Sequence, residues 1–262
     1  MGVDRFSRAE KLEFVDGLVS QCSENQTGFK SYAYANFDRI HADYHFIKPY
    51  ISNNTRILDI GAVPPLMGHF IGKSGLGHYT VLDPDPGPFR KFLDTNQSAM
   101  IEGNIAQRRL ISNESPFDFV LLNEVVEHVS GNLIDSISNA LSFVKPGGHI
   151  LVTTPNLRSV SGLYALLTRS SGLASKPDKS VREQYERVQS YGYFGHIREY
   201  TEKEVIDLMV SFGVNHVSSV FQSDYRNYTD LRKVVVVLEH LFPKWRLFGK
   251  YLFQKPANAS LV

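Results

Sequence analysis

Between Arg56 and Thr154 the chain alternates short apolar runs with amphipathic stretches, and that alternation leaves few folds open. Ile57, Leu58 and Ile60 form the first run, and helical spacing follows near 66–73. A second run at 79–83 precedes a short helix around 88–95, and a weaker run lies near 99–101. Phe117-Asp-Phe-Val-Leu-Leu122 is almost continuously apolar, as a strand covered on both faces must be. The spacing then predicts a helix over 132–144 with Ile134, Ile137, Leu141 and Val144 on one face. Lys145-Pro-Gly-Gly148 is expected to stop it before a strand over 149–154. Strands alternating with helices imply right-handed crossovers and a mainly parallel sheet.

The flanks break this rhythm. Ser7 and Glu10 are spaced as a capping box ahead of apolar residues at 12, 15, 18 and 19, predicting a helix over 7–21. Residues 28–50 are rich in aromatics, among them Phe37, Tyr44 and Tyr50, and predict a second helix. Residues 1–50 thus read as a helical cap, and 51–262 as the sheet domain. Within the latter, 157–200 combines a helix over 158–169 with a polar stretch, the pattern of a lid or substrate insertion. Thr201 and Glu204 form a second capping box, opening a helix with Val205, Leu208, Met209 and Phe212 inward and Gly213 at its end. A strand over 214–221, a helix over 230–242 and a strand over 247–254 complete the chain.

Gly61 opens a sharp turn directly after the first strand, and the second strand ends in Asp83. Strand, glycine turn, helix, strand and acid is how an open α/β sheet holds the adenosine end of a cofactor. The turn lets the ligand approach backbone, and the acid accepts hydrogen bonds from ribose hydroxyls. A dinucleotide further needs glycine at the turn's second position, so that backbone amides reach the pyrophosphate. Val63 stands there, followed by Pro64 and Pro65, which disfavours a dinucleotide.

Composition narrows the partners. With 28 basic and 27 acidic residues the net charge is +1, which argues against a nucleic-acid partner. A single cysteine excludes an internal disulfide or a cysteine-built zinc site. No run reaches the roughly 18 apolar residues of a membrane span, and Met1–Phe14 lacks a signal-peptide core, so a cytoplasmic location is expected. Arg232, Lys233, Lys244, Arg246 and Lys250, mixed with large apolar residues, allow peripheral membrane contact by the C-terminal region. His41 and His45 lie four apart without an intervening glutamate or a third ligand, so no metal site is expected.

Taken together, these blocks resemble the class I S-adenosylmethionine-dependent methyltransferases. The resemblance rests on Ile57-Leu-Asp-Ile-Gly61, Val81-Leu-Asp83, Phe117–Val129 with its Asn-Glu-Val-Val-Glu-His, and Leu141–Gly148 running into Thr153-Thr-Pro-Asn156. Gly195-His-Ile-Arg-Glu-Tyr-Thr201 is similar to a segment of small-molecule and glycan-pathway members. It implies a Rossmann-like, doubly wound seven-stranded sheet with an antiparallel last strand, in which 214–221 pairs with 247–254. It also implies S-adenosyl-L-methionine as cofactor, with methyl transferred to oxygen or nitrogen of a small-molecule acceptor: a sugar, glycolipid or other natural product. The family usually carries Gly-x-Gly-x-Gly where this chain has Gly61-Ala-Val-Pro-Pro65. That departure leaves open a second reading, a catalytically degenerate relative serving as a binding or scaffolding module.

By the same resemblance, the cofactor-binding residues are Asp59, Gly61, Ala62 and Val63 around the first turn, and Asp83 with Pro84 at the ribose. Asn104 and Ile105 would meet the adenine, and Asn123, Glu124 and His128 the methionine end. His196, after the insertion, is the expected catalytic base. Asn156 would face substrate or cap the next helix.

Overall fold

The computed structural model describes residues 6–258 except 109, 111–114, 130, 170, 175–179, 192–194 and 224–229. The side chains of 187–191 and 230–233 also lie outside that set. The strands are β1 (Arg56–Ile60), β2 (His78–Asp83), β3 (Ala99–Glu102), β4 (Phe117–Asn123), β5 (Val144–Pro155), β6 (Asn215–Gln222) and β7 (Phe248–Gln254). They form one sheet in the order β3-β2-β1-β4-β5-β7-β6. β1 runs parallel to β2 and β4, and β2 parallel to β3. β7 is antiparallel to β6, as the resemblance implied, and is antiparallel to β5 as well. Strand order reverses between β1 and β4, which in open sheets is where ligands meet the carboxyl ends of the strands. No helix among the described residues is long and apolar enough to cross a membrane.

The chain divides into two compact units. The first is Met1–Ile105 with Phe117–Leu121. It contains α1 (Arg8–Val19), α2 (Gln26–Ile47), α3 (Leu66–Ser74) and α4 (Arg90–Thr95). The capping box of α1 forms as expected, with Glu10 N donating to Ser7 Oγ and Ser7 N to Glu10 Oε2. Aromatic rings fasten α1 and α2 to α3: Phe14 stacks on Phe70 at 4.4 Å, and Phe37 meets both edge-on. Tyr44 stacks on Phe70 from the C-terminal half of α2. Each such ring removed from water contributes about 1.5–3 kcal/mol, so the aromatic run of 28–50 is largely packing. His41 lies in this cluster, its Nε2 2.9 Å from that of His45. Gly68 is needed where α3 crosses β2, since a Cβ there would lie 2.3 Å from the Tyr79 ring.

The second unit is Ala106–Pro116 with Leu122–Val262. It carries α5 (Leu133–Ser142), α6 (Val160–Arg169), α7 (Val181–Tyr191), α8 (Glu202–Ser211) and α9 (Asp230–Leu241). Three expectations are corrected here. α5 stops at Ser142, leaving Val144 in β5 and Ile134 51 % exposed, so the buried face is Ile137, Ala140 and Leu141. β5 begins at Val144 rather than 149, because Lys145–Gly148 is held as strand by Lys255, whose N–H and carbonyl bond Gly148 O and Gly147 N. α7 is a helix inside the segment read as polar and irregular. The capping box of α8 forms, with Val205 and Met209 buried and Leu208 and Phe212 only half-buried.

Candidate functional site

In the first unit, the residues expected around an adenosine cluster at the carboxyl ends of β1 and β2. Gly61 continues β1 with φ +73°, a backbone angle that favours glycine, while its N–H bonds Leu82 O at 2.8 Å. Gly61 is exposed and Ala62 and Val63 half-exposed, whereas Pro64 and Pro65 are buried. The prolines therefore pack inward, and the leading residues of the turn remain accessible.

Asp59 is 3 % exposed, and its Oδ2 accepts the Tyr79 hydroxyl at 2.6 Å. Burial pushes its pKa up to about 7, with the Tyr79 bond working against the rise and the charges of Asp43 and Asp83 adding to it. Asp83 is half-buried at the end of β2. Burial raises its pKa to about 6, opposed by the Asp85 amide that donates to its Oδ1 at 2.9 Å. Pro84 follows β2 and is half-buried, and Asn104 and Ile105 lie just past the end of β3, half-buried and buried respectively.

In the second unit, Asn123 closes β4 and Glu124 follows with φ +56°, an uncommon angle for a residue bearing a side chain. Glu124 is held there by its N–H, which donates to Thr153 O and Oγ1 at 3.0 and 3.2 Å. Asn123 Oδ1 is buried and has no hydrogen-bond partner among the described residues. A buried acceptor left unsatisfied costs about 1–3 kcal/mol, and such groups cluster where a ligand is to bind.

Beyond Glu124, a polar cluster joins two distant parts of the sequence. Glu127 is fully buried, and its Oε2 accepts Thr154 Oγ1 at 3.1 Å. Its carbonyl accepts Ile197 N at 2.7 Å, tying the loop after β4 to the segment carrying His196. The rings of His128 and His196 meet edge to face at 4.6 Å. His128 Nδ1 lies 3.0 Å from Gly195 O, and His196 Nδ1 lies 2.9 Å from Glu199 Oε1. Glu199, itself 1 % exposed, also accepts the Ala174 amide.

The sequence-derived residues thus form two groups: Asp59, Gly61–Val63, Asp83, Pro84, Asn104 and Ile105 in one unit, and Asn123, Glu124, His128 and His196 in the other. Tyr79, Thr154, Glu199 and Gln184, whose amide donates to the His196 and Ile197 carbonyls, have no counterpart among the residues expected from the sequence. Glu199 had one usable signal, its i+3 spacing from His196. Of the two readings of Asn156, its contacts lie with the one at the entry to the next helix, α6. Asn156 is 1 % exposed, donates to Lys244 O and Arg246 O, and accepts Arg158 N. The basic C-terminal face is also reduced: Lys244 pairs with Glu202, Arg246 bonds two carbonyls and Lys250 is buried. Arg232 and Lys233 lie outside the described side chains.

A parallel sheet with an inserted antiparallel strand, a glycine turn after β1 and an acid ending β2 define a Rossmann-like methyltransferase fold. The chain belongs to the methyltransferase-domain family, whose model matches residues 32–219. It is an S-adenosyl-L-methionine-dependent methyltransferase. Solved structures share the fold at low identity. A chain from the Haloferax volcanii complex between the Trm112 methyltransferase activator and a methyltransferase is 12% identical, with 92% of this chain and 97% of that one covered and a TM-score of 0.58. An S-adenosylmethionine-dependent methyltransferase from Thermotoga maritima is 14% identical, with 94% and 99% covered and a TM-score of 0.54. The N-methyltransferase NodS of Bradyrhizobium japonicum, in complex with S-adenosyl-L-homocysteine, is 13% identical, with 93% and 98% covered and a TM-score of 0.51. No curated protein matches the chain.

Proposed function

We propose that this methyltransferase acts on an oxygen or nitrogen of a small molecule, a sugar, glycolipid or other natural product, and that each of the two residue groups above is fitted, within its own unit, to a part of its methyl donor. The fit rests on two acceptors, Asp83 and Asn123. Asp83 is a carboxylate whose burial is offset by a single amide, and Asn123 Oδ1 is a buried acceptor with no donor among the described residues. S-adenosyl-L-methionine offers two ribose hydroxyls and an ammonium, the donors such groups require. The turn suits it as well, since no pyrophosphate has to be cradled by Val63, Pro64 and Pro65.

In this reading Asp83 and Pro84 hold the ribose, Asn104 and Ile105 the adenine, and Asn123, Glu124 and His128 the methionine end. Asp59 with Gly61, Ala62 and Val63 shapes the turn. When bound, the cofactor supplies an activated methyl group whose carbon–sulfur bond breaks as the bond to the acceptor forms. The protein's part is alignment and exclusion of water. On the acceptor side stands His196. The Glu199 carboxylate accepts from its Nδ1, so the ring's lone pair is on Nε2, the atom through which it acts on an acceptor hydroxyl. Residues 157–200 are read as the acceptor-side insertion, and exposed Tyr164, Leu167 and Tyr185 give that segment a surface suited to a lipid- or ring-bearing molecule.

The carrying observation is the half-buried carboxylate of Asp83 at the end of β2, its pKa raised by burial, and calorimetry with S-adenosyl-L-homocysteine tests it. Ribose hydroxyls favour ionised Asp83, so affinity should hold above pH 6 and fall below it. Asp83→Ala should weaken binding by about 1.5–3 kcal/mol and flatten that pH dependence. A folded variant that binds as tightly as the native chain would remove Asp83 from the site.

A further inference from the structure

Glu127, His128 and His196 bring one carboxylate oxygen and two imidazole nitrogens within 4.8 Å of one another. We propose that these three side chains bind a divalent first-row transition-metal ion. The proposal rests on the acceptor-side reading of His196 and specifies how that residue acts, as a ligand rather than as a free base.

The hydrogen bonds around the cluster point this way. A carbonyl oxygen only accepts, so His128 Nδ1 must carry the proton it gives to Gly195 O. His196 Nδ1 is matched in the same manner to the buried Glu199 carboxylate. Both rings are thereby set in the tautomer whose Nε2 bears the lone pair. An imidazole ligand is usually fixed in this way, its other ring N–H going to a carbonyl or a carboxylate. Two rings so fixed, side by side, are more than proton abstraction requires.

The third donor is equally supported. Glu127 is fully buried, and Thr154 holds one of its oxygens, while Oε1 lies 4.0 Å from His128 Nε2. Ligand atoms about 2.0–2.2 Å from one ion stand roughly 3.0–3.5 Å apart. The observed spread therefore closes by about an ångström, within reach of side-chain rotation. The His128 and His196 side chains are 19% and 13% exposed, so an ion would not be sealed off from an acceptor. Two imidazoles with one carboxylate select zinc, iron, manganese or their neighbours over magnesium and calcium. An ion there would lower the pKa of an acceptor oxygen coordinated to it.

The test uses the untagged full chain, freed of metal by chelator and titrated with Co²⁺ while its visible absorption is followed. S-adenosyl-L-homocysteine binding is measured in parallel by calorimetry. We expect one equivalent of Co²⁺ with ligand-field bands. Affinity should fall at least about tenfold in His128→Ala and His196→Ala, and also in Glu199→Gln, which removes only the support of a ligand. His45→Ala should leave it unchanged. Stoichiometric binding that survives both alanine variants, or no such binding in a chain that still takes up S-adenosyl-L-homocysteine, overturns the metal site alone. Co²⁺ binding without S-adenosyl-L-homocysteine binding keeps the metal site and removes the cofactor reading. If the variants do not fold, X-ray absorption of the Zn²⁺-loaded native chain decides: a shell with two imidazoles supports the proposal, and any other shell overturns it.

Discussion

Asp59 shows how far a single side chain can set the behaviour of its strand. Its carboxyl group is buried, receives the Tyr79 hydroxyl and titrates near 7 because burial outweighs that bond. An acid whose folded pKa lies above its unfolded value binds its proton more tightly when folded. Its contribution to stability is full below about pH 4 and is lost as pH rises through 7. Asp59→Asn keeps an acceptor for Tyr79 without the ionisation. From pH 5 to pH 8 the variant should therefore gain about 2–3 kcal/mol on the native chain, read by urea unfolding at each pH. A difference that stays flat with pH would show that the buried carboxyl does not titrate in this range. At this scale the sequence was legible where interactions are local. Ser7 with Glu10 and Thr201 with Glu204 were read directly, because both partners of each box lie within one helical turn. The links from Glu127 to Thr154 and from Tyr79 to Asp59 were not, since each spans 20 or more residues and nothing in the spacing signals it.

Among the elements, existence was clearer than extent. The apolar runs at 56–60, 79–83 and 117–122 became β1, β2 and β4 with only small changes at their ends. The start of β5 was missed because Lys145-Pro-Gly-Gly148 has the composition of a turn, and what keeps it extended comes from Lys255. α7 is hard to see in the sequence because its stripe is thin, only Val181, Tyr185 and Val188 in a charged stretch, although Ser180 and Glu183 carry a capping signal and Ser180 Oγ accepts Glu183 N. Lys255 does more than pair with the strand. Its buried ammonium donates to Leu141 O and Val144 O, at the end of α5 and the start of β5. A cation there also meets the negative end of the helix dipole. Lys255→Met keeps the aliphatic stem but leaves both carbonyls without the charge, and should cost about 2–4 kcal/mol in chemical denaturation. A loss below about 0.5 kcal/mol would show that water replaces the ammonium.

For the molecule as a whole, the alternation of strands and helices was enough to indicate an open α/β sheet, but not the order of its strands. The pairing of β7 with β6 follows from the family resemblance, whereas the place of β7 between β5 and β6 is seen only in the structure, because nothing in a seven-residue run states its neighbours. Global stability should show an acid limb set by His69. Its ring is packed against Phe14 and Phe92, and burial, with Lys73 nearby, lowers its pKa to about 4. A histidine that must stay neutral supports the fold above its unfolded pKa of 6.5 and loses that support as pH falls toward 4. His69→Phe should therefore gain about 2–3 kcal/mol on the native chain between pH 7 and pH 4, measured by thermal or urea unfolding at each pH. A parallel decline of both proteins would place the acid limb elsewhere.

The insertion of β7 also bears on how the polypeptide is made. In the sheet, β6 has β7 as its neighbour, and β5 meets β6 only across it. During synthesis residues 144–155 emerge roughly ninety positions before 248–254, an interval of about 5–20 s at usual elongation rates. Through that interval one flank of β5 lies open to any extended peptide nearby, and residues 215–222 wait without a partner. Nascent chains halted before residue 248 should therefore draw chaperones or self-associate, whereas those allowed to reach residue 255 should not.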